Sequence, residues 1–105
     1  MFKKAMVAYG MVLIATQAQA WEDVNYTGTL QAGAVYCKSQ GKLEDFGAYA
    51  QDGDEAGADR MVQAGDCTIV QRAMQVNVFQ EDDGFLSNFL TPSGKAFYTF
   101  KQFIN

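Results

Sequence analysis

The chain has 105 residues, no histidine, two cysteines and a formal net charge of −4. Without histidine there is no Ser-His-Asp or Cys-His catalytic arrangement. The acidic balance argues against nucleic acid and anionic lipid as partners, because both select basic patches.

Residues 1–20, MFKKAMVAYGMVLIATQAQA, have the three parts of a secretory signal peptide. Lys3 and Lys4 form the charged region. Ala5 to Ala15 is an apolar run shorter than an ordinary membrane span. Ala18-Gln19-Ala20 is a small-x-small cleavage site, which predicts a mature chain that begins at Trp21 and folds as one domain over residues 21–105. An uncleaved anchor is the alternative. No cysteine follows the site, so no lipid anchor is expected, and no membrane insertion is expected of the mature chain. Without Lys3 and Lys4, six basic residues face twelve acidic ones, a net charge of −6. The expected location is periplasmic or secreted.

WEDVNYTGTLQAGAVYC is rich in β-formers, broken by Gly28 and Gly33. A short strand is expected near Ala34 to Cys37, and Thr29 to Ala32 is a second candidate. Trp21 and Tyr26 could be core or surface.

Cys37 to Cys67 brackets two short helical patterns. Leu43, Phe46, Gly47 and Ala50 lie on one helix face, with Ser39 as the N-cap. Asp52 and Glu55 have capping-box spacing and Asp54 is a competing cap. Ala58, Met61 and Val62 form a narrow stripe, and Gly65 suits a C-cap. A helical hairpin would return Cys67 to Cys37. Two cysteines in an exported chain most often pair with each other. A closed zinc site would need carboxylates for half of its ligands. One Cys37–Cys67 disulfide is therefore expected.

After Cys67, Met74, Val76 and Val78 alternate with Gln75, Asn77 and Phe79, as in a half-buried strand. Glu81-Asp82-Asp83-Gly84 reads as a turn, since Asp-Gly favours hairpins. Phe85 to Thr91 is the return strand. Pro92-Ser93-Gly94 is a second turn and Lys95 to Tyr98 a third strand. Thr99 to Ile104 is a helical turn or a further strand. Short strands about ten residues apart suggest a small barrel or a meander. The fold class is α+β.

The succession of a strand, Cys37, a helical hairpin, Gly65-x-Cys67, Val76-x-Val78, a hairpin and Phe97-Tyr98-Thr99 with Phe103-Ile104 resembles small exported bacterial proteins built on an SH3-like barrel with a helical insertion. The final strands are also similar to the bacterial SH3 domains of cell-wall enzymes. The resemblance implies a small SH3-like domain that binds a partner.

No constellation points to catalysis. Ser39, Ser87 and Ser93 have no evident base, and the pairs Glu44/Asp45 and Asp82/Asp83 are adjacent in sequence, whereas glycosidase carboxyls face each other across a cleft. Against a calcium loop, Asp52, Asp54 and Gly57 match, but Ala56 and Gln63 fail. No metal and no cofactor is expected. Phe79, Phe85, Phe89, Phe97, Tyr98, Phe100 and Phe103 exceed what so small a core encloses. Phe79 and Tyr98 are the expected binding residues. The expected function is non-catalytic binding of an unidentified cell-envelope protein, as an inhibitor, subunit or exclusion-type factor. Recognition of peptidoglycan is the alternative.

Overall fold

A computed structural model describes residues 20–105; the signal-peptide expectation falls, apart from Ala20, outside the described residues. Six strands form one antiparallel sheet: β1 (Glu22–Leu30), β2 (Val35–Cys37), β3 (Cys67–Ile69), β4 (Met74–Glu81), β5 (Leu86–Leu90) and β6 (Ala96–Phe100). Two helices, α1 (Gln40–Gln51) and α2 (Glu55–Gln63), connect β2 to β3, and a 3-10 turn follows β6 at Lys101–Phe103. The strand order is β1-β4-β5-β6-β2-β3, so β4, β5 and β6 run as a consecutive meander.

The helical hairpin follows its local signals. Ser39 Oγ accepts from Lys42 N at 3.2 Å, and Asp54 Oδ1 accepts from Gly57 N at 3.0 Å. Of the two caps that competed for the second helix, Asp54 is therefore the one used. Gly65 has φ 81°, the left-handed conformation that ends a helix at little cost for glycine. Cys67 returns directly opposite Cys37 in the β2–β3 register, and the two are disulfide-bonded.

The first strand is longer than expected. Gly28 does not break it, because there the chain end lies close against the strand. A Cβ on Gly28 would stand 2.5 Å from Ile104 Cγ2. Leu30 bridges Ile104, Thr29 N donates to Asn105 O at 3.0 Å, and Asn105 N returns a bond to Thr29 O at 2.9 Å. The segment after β6 thus reaches back to β1, and the sheet curls without closing. Of the expected barrel or meander, β4 to β6 form a meander, and the sheet is not closed into a barrel: β1 and β3 are its two edges. Both edges are blunted against further pairing. β1 has a register shift between Asp23 and Tyr26, and β3 is three residues long.

Each face of the sheet carries a core. One is built on Leu30, Ala34, Val70, Val76, Val78 and Phe89, inside the curl. The other holds Val35, Cys37, Leu43, Met61, Cys67 and Leu86, where the helices cover the sheet. Phe103 packs against both. This explains why β5 is buried on both faces over Leu86–Phe89. Its polar members are accommodated unevenly. Thr99 Oγ1, on neighbouring β6, donates to Val35 O at 2.7 Å, whereas Ser87 Oγ and Asn88 Oδ1 are buried without a protein partner.

Two outcomes are expected. Gly28→Ala should lower the unfolding free energy by about 1–3 kcal/mol, because the methyl displaces Ile104; urea denaturation checks this. The double variant Cys37→Ser/Cys67→Ser should lose roughly 3 to 4 kcal/mol in the same assay, the loop-closure value for a separation of 30 residues.

Candidate functional site

The turn between β4 and β5 is held at several points. Asp82 is buried, and its Oδ1 accepts from Gly84 N at 3.0 Å and from Leu86 N at 2.9 Å. A short polar side chain that bonds its own downstream backbone builds such a turn locally. The chain after β6 braces the other side. Lys101 N donates to Phe85 O at 2.7 Å, and Lys101 Nζ donates to the carbonyl of Asp82.

This fixed turn holds Phe85 out. Its side chain is 80% exposed, the most exposed large apolar residue described. Single exposed apolar residues need no explanation, but Phe85 stands at the rim of a groove of about 680 Å³. Phe46, Gly47 and Ala50 of α1 form one wall, and Val35, Phe100 and Phe103 also line it. A Cβ on Gly47 would lie 3.0 Å from Phe100 Cζ, so the glycine lets α1 approach that ring. A second hollow of about 370 Å³ shares Gly47, Gln51, Gly84, Phe85 and Phe100 and adds Glu44, Ala48, Asp82 and Leu86. Phe85 lines both hollows.

Phe79 and Tyr98 stand elsewhere. β4 pairs Val78 with Phe89 and Gln80 with Asn88, which leaves Phe79 as the extra residue of a bulge. It is half-buried and belongs to neither core cluster. Tyr98, also half-buried, packs on the disulfide side of the sheet, with its ring edge-on to Trp21 at 6.0 Å between centroids. Neither residue lines the groove. Trp21 is thus held against the sheet at the start of the described chain.

Sequence reasoning placed Phe85 in a strand and passed over it. Its surroundings explain why. Phe85 and Phe89 share one parity of the segment, Leu86 and Leu90 the other, so alternation favours neither face. The available signal was its place directly after Asp83-Gly84, at the tip of the hairpin.

The other candidates take structural roles. Asp54 caps a helix, and among the described residues no three His, Cys, Asp or Glu side chains converge as a group that could hold a metal ion. Tyr26 donates to Glu81, and its partial burial, followed by that bond and the charge of Glu81, pushes the phenol up to about 12. No helix among the described residues is long and apolar enough to cross a membrane.

No family model matches this chain, and neither a curated protein nor a solved structure does.

Asp82→Ala should cost about 1–3 kcal/mol, since it leaves the Gly84 and Leu86 N–H groups without their acceptor. Thermal melting reads the loss, and amide exchange should show faster opening confined to residues 82–86.

Proposed function

We propose that this is a non-catalytic binding protein of the cell envelope, exported through its signal peptide to the periplasm or the exterior, where it docks on another protein. The observation that carries the proposal is Phe85. An aromatic ring, 80% exposed, stands on a turn fixed by hydrogen bonds from two sides, beside an apolar groove. Aromatic anchors held rigidly lose little conformational freedom on binding, and such residues dominate interface energetics. The Cys37–Cys67 disulfide supports export, because such bonds persist in oxidising compartments.

The domain is proposed to be a relative of the SH3-like class, with the helical hairpin as an insertion that supplies one wall of the groove. Support for this comes from the curled antiparallel sheet and the return of the chain end to β1. Phe79, outside both cores, is proposed as a secondary contact on the same hairpin. Tyr98, half-buried and edge-on to Trp21, is proposed as a further binding residue.

A photo-crosslinking residue at position 85, introduced in the native host or its extract, should yield a discrete protein adduct, and the same residue at exposed position 93 should not. Phe85→Ala should leave the melting temperature within about 2 °C, as expected for an exposed side chain. It should also weaken capture of that partner at least about tenfold. Equal labelling from positions 85 and 93 would overturn the assignment.

A further inference from the structure

The charges around the groove go beyond the docking assignment on which this inference rests. Glu44 is exposed and lines the second hollow, which shares Gly47, Gly84, Phe85 and Phe100 with the groove, and Asp83 is exposed next to that shared Gly84. Glu44 accepts from Gln40 at 3.2 Å, and no cation is paired with it among the described residues. The lysine that lines the groove is Lys101, and its ammonium is engaged by the Asp82 carbonyl. Lys42, two residues from Glu44, pairs instead with Asp66 at 3.4 Å. The groove is therefore apolar at its floor, and the hollow that adjoins it carries the exposed carboxylate of Glu44, with Asp83 next to the Gly84 that both share. The α1 wall is low at Gly47, Ala48 and Ala50, which project little beyond the helix backbone.

We infer that the groove receives a cationic amphipathic helix of the partner protein. Its apolar side chains would lie against Phe46, Phe100 and Phe103, with Phe85 closing over one flank. Its Lys or Arg residues would face Glu44 and Asp83. An amphipathic helix in a hydrophobic groove is a recurring mode of recognition, and the small side chains of α1 allow its backbone to come close. A second copy of this chain is disfavoured as the occupant, since six basic residues face twelve acidic ones over residues 21–105 and like charges at the rim would oppose each other.

The test uses the oxidised protein and three labelled peptides of about 15 residues, a length at which an amphipathic helix is marginal alone and gains order on binding. One is a Leu/Lys amphipathic helix. The second is its Leu/Glu counterpart. The third is a scramble of the Leu/Lys peptide that disperses the apolar face. Fluorescence anisotropy should show saturable binding of the Leu/Lys peptide, weaker by at least about tenfold for the scramble and for the Phe85→Ala protein. Glu44→Lys should weaken it several-fold, and more so at low salt, where charges are less screened. Binding of the Leu/Glu peptide should be undetectable. Equal binding of the scramble would show bulk charge attraction and overturn the inference, as would binding of the Leu/Glu peptide or indifference to Glu44→Lys. Competition with the crosslink at position 85 separates the two levels. If the adduct at 85 forms but the Leu/Lys peptide does not suppress it, the docking assignment stands and the cationic helix falls. If no adduct forms, both fall.

Discussion

The pairing of Cys37 with Cys67 across β2 and β3 is the constraint on which the remaining structure depends. The two residues are register partners in the ladder, and the bond joins the ends of the segment that contains both helices. A helical hairpin with so few buried residues would not hold itself together. In α1 only Leu43 is buried, and in α2 only Gly57 and Met61. Closing the loop lowers the entropy of the unfolded chain and holds α1 and α2 over the sheet, where those few side chains meet Leu86 and Val35. A small domain has little apolar area to stabilise it, which makes such a covalent link effective.

From that staple the rest can be followed outward. With the helices seated on one face, β5 becomes an interior strand buried on both sides, and the curl of the sheet provides the second core. The chain end closes the arrangement through Phe103, which packs against both clusters, and through the ladder from Thr29 to Asn105. The same terminal segment supplies Lys101, which braces the β4–β5 turn. The turn that presents Phe85 is consequently tied to the fold at a distance of sixteen residues in sequence. Rigidity of that kind is what separates a binding anchor from a loosely exposed side chain.

The proposed site is a product of this packing and belongs to no single element. α1 supplies Phe46, Gly47 and Ala50, the hairpin supplies Phe85, and the chain after β5 supplies Phe100 and Phe103. Gly47 contributes through what it lacks, because a side chain there would press on the Phe100 ring and alter the groove. Glu44 of α1 and Gly84 of the hairpin, the neighbour of Asp83, are remote in sequence and line one hollow because α1 stacks beside the hairpin.

What the sequence determined by itself is local. Ser39 and Asp54 name their helices, because a side-chain oxygen two or three residues from an unpaired N–H needs no distant partner. Asp82-Asp83-Gly84 names its turn for the same reason, and two cysteines leave one intramolecular pairing. Tertiary structure decided what depends on distant strands. β1 runs through Gly28 because β4 and the chain end pair with it there, which neither glycine content nor alternation announces. Phe79 became a bulge residue because β4 and β5 fall out of step between Val78 and Gln80. The exposure of Phe85 was likewise settled by distant contacts. Leu86 and Phe89 claim the two cores on opposite faces of β5, and Lys101 holds the turn, so the ring beside them is left outside.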